Sequence, residues 1–162
     1  MEISNSGFTG LGKQLILPLF KGVERAPNNS LSGLSRVQRG LVRDALISGG
    51  FAGKKSERMT LWTPECNIVL VGMGPKNGLD HKVARDAGAN IIASLSKKKG
   101  VEVTVRFTSG WTGDRMLDFA EGMMLRDYEF LEHQEVPDDH ISKNWEVNFQ
   151  ASSRYQEILS ME

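Results

Sequence analysis

The chain is poor in cysteine, in net charge and in long apolar runs. Cys66 is the sole cysteine, so no internal disulfide can form and nothing points to an oxidising compartment. The thiol abuts an apolar run, which makes it a buried, inert cysteine rather than a reactive one. Twenty basic and twenty acidic residues cancel, leaving no broad electrostatic attraction to nucleic acid or anionic lipid. No stretch approaches the ~20 apolar residues that a membrane helix needs. Met1–Gly10 lacks the basic-then-apolar order of a secretion signal, so the expected location is the cytoplasm. The three histidines, His81, His133 and His140, never stand four apart as a helical metal pair would, and no Cys or His cluster accompanies them. There is no Gly-x-Ser-x-Gly elbow, and Cys66 has no evident histidine partner. Asp138-Asp139 reads as a wet acidic loop.

What is present is ordinary globular material. At 162 residues, 40% apolar and 25% charged, one domain is expected. A chain of this size buries roughly two-thirds of its unfolded surface and needs no staples. The organising stretch is Asn67–Gly74. Ile68–Val71 is apolar without a break, and three of its four residues are β-branched, which suits a strand covered on both faces. Gly72 and Gly74 end it, and Leu79–Lys99 follows with helical spacing at Val83, Ala87, Asn90, Ile91 and Leu95. Ala84, Gly88 and Ala89 keep that helix slim, for close approach to the sheet. Strand, glycine turn and helix make half of a βαβ unit, and ligands of open α/β sheets sit beyond the carboxyl ends of the strands.

The remaining elements follow in order. Met1–Leu11 is loose or holds a short edge segment. Lys13–Phe20 is the first strand, with Pro18 placed at a sheet edge or past the last ladder bond because it lacks an N–H. Leu31–Ser48 is a helix capped by Asn29 or Ser30, burying Leu31, Leu34, Val37, Gln38, Leu41, Ala45 and Leu46. Gly49-Gly50 stops it. Phe51–Glu57 opens a hairpin, and Arg58–Thr63 pairs antiparallel with Ile68–Val71 across a short connection. Val101–Phe107 alternates, with Val101, Val103, Val105 and Phe107 on the drier face. It is connected to the central strand through a helix, so it runs parallel to it by a right-handed crossover. Thr112 or Asp114 caps a helix whose apolar set is Met116, Leu117, Phe119, Ala120, Met123, Met124 and Leu125. Tyr128–Phe130 turns extended, Pro137–Ser142 is loop, Asn144–Phe149 is a strand, and Ser152–Met161 is a short helix.

The loop Gly72-Met73-Gly74-Pro75-Lys76-Asn77-Gly78 has the composition of a phosphate cradle, since glycine lets backbone N–H groups approach an anion. Gly72, Gly74, Lys76 and Gly78 are the candidate ligand contacts. The spacing matches neither Gly-x-Gly-x-x-Gly nor a Walker loop, and Pro75 removes a donor. A tight structural turn is the competing reading. Residue chemistry alone provides no active site.

Three stretches taken together resemble one known family. Gly50-Phe51-Ala52-Gly53-Lys54-Lys55-Ser56-Glu57 is similar to the Phe-x-Gly-Lys-x-Gly-Glu hairpin of the leucyl (cytosol) aminopeptidases, with Ser56 where the family often has glycine. Ile68–Gly74 resembles its following strand and Gly-x-Gly. Phe119–Phe130 resembles its Glu-Gly-x-x-Leu-x-x-Tyr-x-Phe signature, and Arg85, Ala87, Gly88 and Ala89 fit its Arg-x-Ala-Gly segment. The lysine that often follows Tyr-x-Phe is replaced by Leu131–Gln134.

The resemblance implies the family's N-terminal domain: an α/β, three-layer α/β/α, macro-domain-like fold with a mixed, mostly parallel sheet. Residues 1–150 would form it, and 151–162 would begin a linker helix to a separate catalytic domain. That domain would hold two divalent metals, zinc or manganese, and every catalytic residue. No catalytic or metal-binding residue is therefore carried over to this chain. The parent would remove N-terminal amino acids, leucine among them, from peptides. Expected partners are its own C-terminal catalytic domain and further copies in a hexamer, with neither membrane nor nucleic acid. The alternative is a stand-alone macro-like module that holds a nucleotide or ADP-ribose-like ligand at 72–78.

Overall fold

Ile68–Val71 is dry on both sides, as its unbroken apolar pattern requires: Ile68 and Leu70 enter one core cluster, Val69 and Val71 the other. The computed structural model describes residues 2–6, 14–22, 34–48, 50–64, 66–95, 102–107, 111–133 and 146–150. In chain order the elements are β1 (Glu2–Ser6), β2 (Gln14–Leu19), α1 (Arg36–Ile47), β3 (Arg58–Leu61), β4 (Asn67–Gly72), α2 (His81–Leu95), β5 (Glu102–Arg106), α3 (Gly113–His133) and β6 (Glu146–Gln150). The strands form one six-stranded sheet, ordered β1-β6-β5-β2-β4-β3. Every neighbouring pair is parallel except β3 with β4. A short connection permits that antiparallel pair, whose register runs from Arg58 opposite Val71 to Leu61 opposite Ile68.

The layers follow from alternation along the strands. Ile16, Val69, Val71, Val103 and Val105 pack with Ala84, Ile91 and Ile92 of α2 and Met116, Phe119 and Met123 of α3. Leu15, Leu17, Leu19, Ile68 and Leu70 pack on the opposite face with Val42, Ala45 and Leu46 of α1. Successive side chains point to opposite faces, so the sheet is covered twice. This is the expected three-layer α/β/α arrangement with a mixed, mostly parallel sheet.

Several elements differ from their sequence expectation. α1 starts at Arg36, not Leu31, because Ser35 and Gln38 form a capping box: the Gln38 N–H donates to Ser35 Oγ at 3.2 Å, and the Ser35 N–H donates to Gln38 Oε1 at 2.8 Å. Gln38 Nε2 also donates to Thr63 Oγ1 at 2.9 Å and to Cys66 Sγ at 3.4 Å. This polar anchor turns the buried stripe to Leu34, Gln38, Val42, Ala45 and Leu46, leaving Val37 71% and Leu41 36% exposed. The expected caps Asn29 and Ser30, with Leu31, lie outside the described residues. So do Pro137–Ser142 and residues 151–162.

Pro18 lies in an interior strand. β2 meets β5 only at residues 14–16, so Pro18 stands past the last ladder bond on that side. Its carbonyl accepts instead from Trp111 Nε1 at 3.2 Å. β5 is parallel to the central strand β4, but β2 lies between them. Thr104 and Arg106 are buried, not wet, because both faces of β5 are covered. Burial draws the Arg106 guanidinium down to about 10, against a raising influence of Cys66, so it stays protonated at neutral pH. On α2, Asn90 is exposed and Ile92 is buried in its place. Tyr128–Phe130 is helical: α3 meets no glycine or proline after Gly122 and propagates to His133.

Close approach by α2 is to α3 and not to the sheet. A Cβ on Gly88 would lie 2.1 Å from the Phe119 carbonyl oxygen, and one on Gly122 2.0 Å from that of Arg85. Two cross-helix pairs bracket this contact, Arg85–Glu121 at 2.9 Å and His81–Asp118 at 2.5 Å.

Candidate functional site

The carboxyl ends of β2 and β5 form the topological switch point. The chain leaves β2 for α1 on one face and β5 for α3 on the other, which is where an open α/β sheet has its ligand crevice. Here side chains fill the space. Phe107 and Trp111 lie 4.9 Å apart between ring centroids, Trp111 and Phe20 5.7 Å, and Phe119 meets both Phe107 and Trp111 edge-on. Trp111 is 3% exposed, with its indole N–H on Pro18. Such tilted and edge-on aromatic pairs add about 0.5–1.5 kcal/mol each beyond their buried area.

The glycine loop lies beside this plug, tied into two others. The Met73 N–H donates to Leu19 O at 2.9 Å and the Lys21 N–H to Gly74 O at 2.8 Å. On the hairpin side, Gly72 donates to Glu57 O at 2.7 Å, Gly74 to Gly53 O at 2.9 Å, and Ser56 to Gly72 O at 3.2 Å. Gly72 must lack a side chain, since a Cβ would stand 1.9 Å from Lys54 O. Gly74 has φ +77°, the left-handed region that favours glycine. The hairpin closes on its own carboxylate: Glu57 Oε1 accepts from the N–H groups of Ala52, Gly53 and Lys54 at 3.0, 2.8 and 3.1 Å. The backbone nest that could hold an anion therefore holds Glu57.

Of the four candidate contacts, Gly72 and Gly74 give their N–H groups to the hairpin, and Gly78 gives its own to Pro75 O at 3.0 Å. Lys76 alone keeps an exposed donor group, its ammonium. It lines an open depression of about 750 Å³ with Lys21, Pro75, Leu79, Thr112 and Arg115. A smaller cavity of about 310 Å³ lies between the hairpin and α2, lined by Ser56, Arg58, Val83, Asp86 and Asn90 among others. Its lining also includes Lys55 and Glu57, the latter's Oε1 already accepting from the hairpin N–H groups.

His81 Nδ1 donates to the Asp118 carboxylate, whose second oxygen lies 3.2 Å from Arg115. This links α2 to α3. His133 is in α3, and His140 and Asp138-Asp139 lie outside the described residues. Among the described residues, no three His, Cys, Asp or Glu converge as metal ligands, and no helix is long and apolar enough to cross a membrane. Cys66 is buried. The roles of Glu57 and Trp111 are absent from the sequence expectations. The glutamate three residues after Lys54, in a hairpin with two glycines, is the one local signal that marks such a closure.

The sequence model of the N-terminal domain of the cytosol aminopeptidase family matches residues 16–136. The chain belongs to that family. Among solved structures, this aminopeptidase N-terminal domain is similar to a mutant of tomato leucine aminopeptidase, with TM-score 0.71 and 17% identity. The match covers 99% of this chain and 35% of that one, so the domain spans about a third of its length. It is also similar to two structures of the bottromycin maturation enzyme BotP, one of them in complex with Mn, each at TM-score 0.55 and 15% identity over 91% of this chain and 29% of that one. At these identities the structures share the fold. No curated protein gives a significant match.

Ser56 occupies the hairpin position where the family often has glycine, with φ +68°. A left-handed residue other than glycine costs roughly 1–2 kcal/mol, partly offset by the lower unfolded-state entropy of serine. Ser56→Gly is therefore expected to stabilise the domain by about 0.5–1 kcal/mol in urea denaturation. An unchanged or lowered midpoint would show that the hairpin tolerates serine without strain.

Proposed function

We propose that this chain is the non-catalytic N-terminal domain of a leucyl aminopeptidase-like metallopeptidase, acting as a scaffold and contact surface for its assembly. The observation that carries this reading is the closed switch point: the crevice expected of a working α/β enzyme holds Trp111, Phe107, Phe20 and Phe119, beside glycine N–H groups already bonded within the chain. The family assignment supports it. In this reading, peptide hydrolysis and two divalent metals, zinc or manganese, belong to a C-terminal catalytic domain. The parent removes N-terminal residues in the cytoplasm as a hexamer.

The test is hydrolysis of leucine p-nitroanilide by the purified chain with added manganese or zinc. The expected rate equals that of buffer with the same metal. Turnover that co-purifies with the folded chain through two orthogonal columns would overturn the proposal.

A further inference from the structure

We propose that the cavity between the hairpin and α2 binds a free α-amino acid with an apolar side chain. This goes beyond the scaffold reading and does not rest on it, so its failure would leave the hydrolysis result untouched.

Strand register and the contact between helices together make the space. Arg58 stands opposite Val71, so its side chain lies on the sheet face that α2 and α3 cover. Met59 and Leu61 turn the other way and pack on the α1 side. α2 is drawn against α3 at Gly88 and Gly122. Its stripe of Val83, Asp86, Ala87 and Asn90 stands over the sheet edge instead. Between that stripe and the hairpin lies the cavity of about 310 Å³, at the small end of ligand pockets.

The floor is apolar and the rim carries both signs. Val71 and Met73 are buried, and Val83 and Ala87 are half-buried. Lys55 and Arg58 are exposed on the hairpin wall, and neither has an ion-pair partner among the described residues. Glu57 is committed to the hairpin N–H groups, so the carboxylate offered from the α2 wall is Asp86. Asp86 meets Lys82 at 3.2 Å, an exposed pair one helical turn apart, which is weak and easily exchanged. Asn90, a turn further on, adds an exposed amide oxygen.

These features select the ligand class. Lys55 and Arg58 are balanced by Glu57 and Asp86, so a lone anion is repelled by Asp86 and a lone cation by Arg58 and Lys55. A zwitterion satisfies both walls, with its carboxylate on Arg58 and Lys55 and its ammonium on Asp86 and Asn90. The substituent it carries then meets Val71, Met73, Val83 and Ala87, where a charged side chain would lose its hydration. A charge turned inward at a sheet edge also deters edge-to-edge pairing. That role accounts for Arg58, and not for Asp86 and Asn90 on the helix.

The test is titration of the 162-residue chain with L-leucine, followed by amide proton and nitrogen NMR shifts. Saturable shifts at Val71, Gly72 and Asn90 are expected, with a Kd of about 1 mM or tighter, well inside the bound for so small a ligand. 4-Methylpentanoate lacks the ammonium and L-leucinamide lacks the carboxylate, and each is expected to bind at least roughly tenfold more weakly. Arg58→Gln and Asp86→Asn are expected to weaken leucine by a similar factor, with Asp86→Asn binding 4-methylpentanoate no worse than the wild type does. Ala87→Leu fills the space and is expected to abolish the shifts. Should a variant fail to fold, the three ligands on the wild-type chain decide the matter alone. No saturable shift with leucine up to roughly 20 mM would overturn the proposal. So would an equal response to the two truncated ligands or to inorganic phosphate, or folded Arg58→Gln and Asp86→Asn that bind leucine as the wild type does.

Discussion

Gly88→Ala is expected to destabilise the domain by about 3 kcal/mol or more, while the same change at Gly40 is expected to stabilise it by up to about 1 kcal/mol. Both glycines are interior to helices, so the gain in intrinsic helix propensity is the same. Only the surroundings differ. A Cβ on Gly40 meets nothing within 4 Å, but one on Gly88 falls 2.1 Å from the Phe119 carbonyl oxygen. That oxygen is backbone inside α3 and cannot swing aside as a side-chain tip would. The helices must part by more than an ångström at their closest point. Ala84, Ile91, Phe119 and Met123 would then lose packing, and Arg85–Glu121 and His81–Asp118 would be stretched. Gly122→Ala should cost a similar amount, since its Cβ would stand 2.0 Å from Arg85 O. The two should be strongly non-additive, because the first substitution already separates the helices. Urea denaturation of the three single variants and the double variant measures this. A neutral Gly88→Ala would mean that α2 and α3 do not meet there.

Val69→Asp is expected to leave no folded domain at 25 °C. Val69 is buried between Ile16 of β2 and Thr60 of β3, on the face packed by α2 and α3. An ionised carboxylate there has no cation within its cluster, and desolvating it costs several kcal/mol even after its pKa rises. Loss of the valine packing adds about 1.5–3 kcal/mol. Together these approach the whole stability of an ordinary domain, about 5–15 kcal/mol. Trp62→Asp is the matched control: Trp62 is 72% exposed just past the same sheet edge, so the change should stay within about 0.5 kcal/mol. Circular dichroism and thermal melts of both variants decide it. A cooperative melt from soluble Val69→Asp would show that β4 is not the dry interior strand described here.

The fold was largely legible because its strands are apolar where covered and its turns are glycine-rich. β2, β3, β4, β5 and β6 fall within a few residues of their expected places, and the antiparallel β3–β4 pair follows from a short connection. The candidate site was less legible. The composition of residues 72–78 is that of an anion cradle, and whether the N–H groups of Gly72, Met73 and Gly74 are free depends on Leu19 and Gly53–Glu57, which no local pattern places beside them. The phase of α1 misled for a similar reason. Hydrophobicity favoured Val37 and Leu41, but a capping box and the Gln38 anchor on Thr63 and Cys66 turned the helix.

By itself the sequence determined the order of elements, the double covering of the sheet and the lack of a local catalytic motif. These depend on each residue's own chemistry and on periodicities of two and 3.6. Tertiary structure alone decided which glycines are contact points and that Trp111 closes the switch point. Those outcomes turn on distances between backbone groups far apart in the chain, and a distance across the fold has no signature in one stretch of sequence.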